Sequence, residues 1–107
     1  MSMTVVVTRD VATRYRGFLA SCMLEIAPGV YTSPRMTKGI RERVWEVLQG
    51  WWGPISGGSI VMTWRDPGLQ GGQAVRTLGL PAKTLYDLDG LHLVFTPGPD
   101  NRPADPT

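Results

Sequence analysis

The sequence predicts an α+β fold in which two helices cover one face of a single sheet. Three observations predict it. Apolar residues recur at helical spacing in two separate stretches, β-rich runs flank both, and Pro-Gly or Gly-Pro pairs punctuate the joins. At 107 residues, with 42% hydrophobic and 19% charged content, the chain fits one core of ordinary composition. The expected domain covers residues 1–95. The segment 96–107 holds four prolines and few apolar side chains, which predicts a disordered tail.

The first element is the run Met3-Thr4-Val5-Val6-Val7-Thr8, a near-continuous apolar stretch that suits a central, buried strand. Asp10 follows, placed to cap a helix by accepting from a free backbone N–H. Val11, Tyr15, Phe18, Leu19, Cys22, Met23 and Ile26 then fall on one helical face, and Pro28-Gly29 closes that segment. Val30-Tyr31-Thr32 reads as a short second strand. Thr37 is the expected N-cap of a second helix, with Ser33 before Pro34 as a competing start. Its apolar face is Ile40, Val44, Val47, Leu48, Trp51 and Trp52, ended by Gly53-Pro54.

Ser59 to Trp64 is the third strand, and the Gly- and Pro-rich stretch from Arg65 to Gly72 is a hairpin loop returning through Gln73 to Leu78. Residues Gly79 to Thr84 read as a loop, Asp87-Leu88-Asp89-Gly90 as a turn, and Leu91 to Phe95 as the last strand. The order is β-α-β-α-β with extra C-terminal strands, which fits a ferredoxin-like sheet. A two-layer arrangement leaves the second sheet face uncovered, so a homodimer is expected to bury it.

Charge and cysteine content bound the setting. Cys22 is the only cysteine and cannot form an internal disulfide. No basic flank with an apolar h-region opens the chain, and no apolar run approaches the roughly 20 residues that span a bilayer. A cytoplasmic protein without membrane attachment is expected. Residues 1–52 carry a balance of +3 and residues 53–107 a balance of −1, which favours a basic face on the first half.

Several segments are similar to one family, in order and at nearly uniform spacing from Met1 to about Phe95. They are Met1 to Thr8, Arg14-Tyr15-Arg16-Gly17, Leu24 to Tyr31, Ile40 to Glu46, Ile60 to Trp64, Thr77 to Leu80 and Asp87 to Leu91. Together they resemble the type I-E subgroup of the CRISPR-associated Cas two proteins. The resemblance implies a ferredoxin-like homodimer held between two dimers of the CRISPR integrase subunit Cas one. There the integrase subunits carry the metal-dependent transesterification. The small dimer bridges them, binds duplex pre-spacer DNA along its backbone, needs no cofactor, and helps set the length integrated. Other branches of the family are metal-dependent nucleases.

Candidate residues follow from both readings. Arg14 and Arg16 sit in the first turns of the first helix, where guanidinium groups and the positive helix end together suit a phosphate. The resemblance implies DNA backbone contacts at these two positions, and also at Lys38 and Lys83. Where relatives carry two adjacent basic residues, this chain has Ala82-Lys83, so one contact of that pair is missing. Asp10 has two readings beside each other, a helix cap and a metal ligand. In nuclease branches a carboxylate pair at this point of the dimer would bind Mg or Mn, giving an endonuclease acting on RNA or DNA. Here Arg9 occupies the usual acidic position, and two carboxylates are a thin set for a cation that takes six oxygens. His92, Cys22 and the four tryptophans read as packing residues, and no P-loop, Ser/His/Asp set or zinc spacing is visible.

Overall fold

The computed structural model describes residues 2–80 and two further strands at 84–88 and 91–95. The elements run β1 (Ser2–Arg9), α1 (Thr13–Cys22), β2 (Leu24–Ala27), β3 (Val30–Met36), α2 (Lys38–Trp51), β4 (Ser59–Arg65), β5 (Gln73–Leu78), β6 (Thr84–Leu88) and β7 (Leu91–Phe95). Five strands form one antiparallel sheet in the order β2-β3-β1-β4-β5, and β6 pairs with β7 in a separate two-stranded sheet. The α+β class stands, and the order of the first four strands is compatible with a ferredoxin-like arrangement.

The element order itself is corrected. It is β-α-β-β-α-β, because residues 24–27 form a strand rather than the last turn of α1. Ile26 fits the helical stripe by spacing alone. The helix stops at Cys22, where the Ser21 hydroxyl donates to the Phe18 carbonyl at 2.6 Å and Met23 turns extended. Leu24 and Glu25 then pair with Thr32 and Tyr31 of β3. Gly29 makes the connecting turn at φ 78°, and a Cβ there would lie 2.8 Å from the Thr8 carbonyl oxygen. The Glu25 carboxylate accepts from the Gly29 N–H at 3.0 Å and steadies the same turn. Cys22, expected on the buried stripe, is exposed.

β1 is central, as expected, but it is not buried on both faces. Thr4, Val6 and Thr8 point into the core, while Met3 is 53% and Val7 40% exposed. Register carries this division across the sheet. Val6 lies opposite Tyr31 and Met62, all three fully buried beneath the helices. Val5 and Val7 lie opposite Thr32, Val30, Thr63 and Val61 on the other face. Leu24, 67% exposed, is opposite Thr32 and extends that face to the edge. The helix-covered core joins Tyr15 and Leu19 of α1 to Val44, Trp45 and Leu48 of α2 over Val6, Tyr31, Ile60 and Met62.

The start of α2 is where the sequence places it. Thr37 is the N-cap and its hydroxyl accepts from the Ile40 N–H at 3.2 Å, whereas Ser33 and Pro34 belong to β3. Its buried face is rotated from expectation. Arg41, Val44, Trp45 and Leu48 face the sheet, and Ile40 is 54% exposed. Trp51 and Trp52 pack edge-on against Tyr15, at ring separations of 5.6 and 5.7 Å. The expected turn at 87–90 is also corrected, since Asp87 and Leu88 are part of β6. His92 is in β7, in register with Asp87. Lys83 and the tail 96–107 lie outside the described residues.

Candidate nucleic-acid interface

α1 begins after Ala12, which offers no side-chain cap, and its first turn contains no acidic residue. Arg14 and Arg16 therefore add positive charge to a helix end that is already positive. Arg14 does not float free. Its guanidinium donates to the Trp51 carbonyl at 3.3 Å and lies 5.1 Å from the Trp51 ring and 5.5 Å from the Tyr15 ring. One donor thus closes the C-terminal end of α2, and the rest of the fork remains exposed. Arg16 is near Tyr31 and Glu25. Burial, and next the Glu25 carboxylate, push the Tyr31 hydroxyl above its ordinary 10.0, while Arg16 pulls it back.

Asp10 does not cap α1. It is exposed and adopts φ 55°, a left-handed turn that carries its carboxylate away from the N-cap position held by Ala12. Gly58 packs against this turn so closely that a Cβ there would overlap the Arg9 and Asp10 carbonyl oxygens. Among the described residues no three His, Cys, Asp or Glu side chains come together as a metal set. One exposed carboxylate per protomer does not fit a cation that takes six oxygens.

Lys38 is not beside Arg14. It opens α2, whereas Arg14 binds the carbonyl of that helix's last residue. At 1.5 Å per residue the 14-residue helix separates them by roughly 20 Å. Among the described residues the sequence-predicted cations thus fall apart, Arg14 and Arg16 toward the C-terminal end of α2 and Lys38 at its start.

Sequence reasoning missed a third feature, a cluster around Trp64. The Arg41 guanidinium lies 4.2 Å from the Trp64 ring and that of Arg76 lies 5.0 Å from it. Arg76 also donates to Glu42 at 2.8 Å, and this bond holds the Glu42 carboxyl below its usual 4.5. Arg41 is only 8% exposed, and its Nε has no hydrogen-bond partner. The signal was available: Arg41 shares its helical phase with Val44 and Leu48.

No helix among the described residues is long and apolar enough to cross a membrane. The family model described as CRISPR-associated protein (Cas_Cas2CT1978) matches residues 3–93. The chain belongs to that family.

Proposed function

We propose that the chain is the non-catalytic, DNA-bridging subunit of a CRISPR spacer-acquisition complex, working in the cytoplasm as a homodimer between two dimers of the integrase subunit. The observation that carries this reading is the start of α1. Arg14 and Arg16 sit there with no acid in the first turn, and the donors that Arg14 does not spend on the Trp51 carbonyl join the positive helix end as a favourable place for a phosphate. Such contacts fix the position of a duplex without reading its sequence.

The uncovered sheet face supports the homodimer. Met3, Val5, Val7, Val61 and Leu24 present apolar surface opposite the helices, and a second copy meeting that face leaves both helical layers outward. The test is co-purification with the cognate integrase subunit on a forked duplex, with mass by light scattering. Two small subunits to four integrase subunits is the expected result. A dimer that ignores the integrase at low salt overturns it. The nuclease alternative predicts Mg- or Mn-dependent cleavage that is lost in Asp10→Ala.

A further inference from the structure

We infer that the groove between α1 and α2 docks an acidic, amphipathic segment of the integrase subunit, with apolar side chains in the groove and a carboxylate at its rim. The groove is a cavity of about 460 Å³. Phe18 and Cys22 of α1 and Ile40, Val44 and Val47 of α2 line it, with Arg43 beside them. These side chains belong to the apolar stripes that the sequence assigns to the two helices. The core takes Tyr15 and Leu19 from α1, and Val44, Trp45 and Leu48 from α2. What it leaves over is half-buried at Phe18 and Val47, exposed at Cys22, and 54% exposed at Ile40. Each helix thus carries more apolar surface than one sheet face covers, and the surplus of both meets in one place instead of scattering.

The groove wall is preformed. The Phe18 ring stands edge-on to Trp51 at 5.6 Å, and the Cys22 thiol donates to the Phe18 carbonyl at 3.5 Å. Burial raises that thiol above its ordinary 9.0, so it lines the groove as a neutral group. Charge then selects the occupant. Among the described residues no carboxylate lines the groove, and the exposed Arg43 makes no ion pair. Lys38 directly precedes Gly39 of the lining and puts a second cation at that end. A second copy seated groove to groove would oppose two cationic rims. A duplex would bring phosphates rather than apolar groups over Ile40 and Val47. A helix with apolar residues at i and i+4 and an acid beside them satisfies lining and rim together. Placement selects its source, because a homodimer closed on the open sheet face turns this helical layer outward, toward the flanking integrase.

This inference rests on the scaffold reading above and gives its protein partner a surface. The test uses the full chain and the cognate integrase subunit without DNA. Cys22 is the only cysteine of the chain, so its alkylation by iodoacetamide, read from intact mass, reports on the groove directly. Saturating integrase should slow that reaction about ten-fold or more, since thiol reactivity depends on access. Ile40→Lys and Arg43→Glu, both at exposed positions, should each weaken the complex about ten-fold or more, and Arg43→Lys much less. If integrase binds while the Cys22 rate is unchanged and both variants bind normally, the groove assignment is overturned and the scaffold reading stands. A Cys22 rate that falls with the concentration of this chain alone gives the groove to a second copy and overturns the assignment to integrase. If the unaltered chain binds no integrase at low salt, the scaffold reading itself fails and this assignment falls with it.

Discussion

Replacing Arg41 separates what its stem does from what its charge does. Arg41→Met keeps an unbranched apolar chain against Trp64 and removes the guanidinium. It forfeits the stacking of a cation on the ring, about 1 kcal/mol. It also removes a buried Nε that has no partner, which relieves about 1–3 kcal/mol of desolvation cost. Glu42 is not orphaned by the change, because Arg76 retains it at 2.8 Å. The two effects offset, so Arg41→Met should lie within about 1 kcal/mol of the parent protein or above it. Arg41→Ala loses the same charge and also the packing of the stem, leaving a void between α2 and Trp64. Truncations of this size cost about 2–5 kcal/mol in a close-packed interior, so the Ala variant should fall at least about 2 kcal/mol below the Met variant. Helix propensity favours Ala slightly and cannot account for that order. Urea unfolding at one fixed protein concentration measures both, read as a change of midpoint at constant slope. Equal and large losses in the two variants would refute the reasoning, since the charge and not the stem would then hold this end of α2.

The remaining predictions concern other parts of the molecule. Val7→Lys puts a charge at the centre of the open sheet face, and light scattering should show a monomer of nearly unchanged secondary structure; a persistent dimer would move the subunit contact elsewhere. Gly58→Ala should destabilise by about 1–3 kcal/mol, read as a lower thermal midpoint, because φ is +80° and the new Cβ overlaps the Arg9 and Asp10 carbonyls. Glu42 has a folded-state pKa below its unfolded value, so its contribution is present above about pH 4.5 and is lost as pH falls through the folded value. With 41% of its side chain exposed, screening limits this to under about 1 kcal/mol. Glu42→Gln should lower stability at pH 7 and remove that portion of the acid dependence, measured by urea midpoints from pH 7 to pH 3.

What the sequence made legible was whatever a single local rule decides. Thr37 is a cap because a hydroxyl one residue before the helix reaches the Ile40 N–H, and spacing alone exposes that. The β4–β5 hairpin is readable because its loop residues admit few alternatives. The strand β2 was hidden because Leu24 to Ala27 satisfies two periods at once. Ile26 sits at helical spacing from Val11, while Leu24 and Glu25 also pair with β3, and the tertiary partner decides between them. The face of α2 was misjudged for a related reason. Ile40 and Val47 outrank Arg41 and Trp45 in hydrophobicity only if arginine is counted as a charge. Counted as a stem under an aromatic ring, Arg41 belongs to the core stripe. Arg14 and Arg16 lie in the first turns of α1, as the spacing predicts, yet Arg14's bond to the Trp51 carbonyl needs two elements 37 residues apart and no sequence pattern announces it.

The spacing of the two cationic groups bears on which nucleic acid the proposed scaffold would hold. Arg14 and Lys38 are separated by the length of α2, roughly 20 Å, and both helix ends are rigid, one capped by Thr37 and the other closed by Arg14 itself. Phosphates along one strand of B-DNA advance about 3.4 Å per base pair, so the separation corresponds to about six base pairs, near half a helical turn. Half a turn along, the phosphate on the same face belongs to the other strand; a stiff duplex presents that cross-strand pair without ordering cost, whereas a single strand offers no second strand and would have to be ordered. Two rigid anchors therefore favour duplex over single strand, and the preference should vanish when either anchor is removed. Losing Arg14 and Arg16, or losing Lys38, should each bring duplex and single-strand affinities together. A loss of affinity that leaves the duplex preference intact would show that one end binds alone and that the length of α2 plays no part.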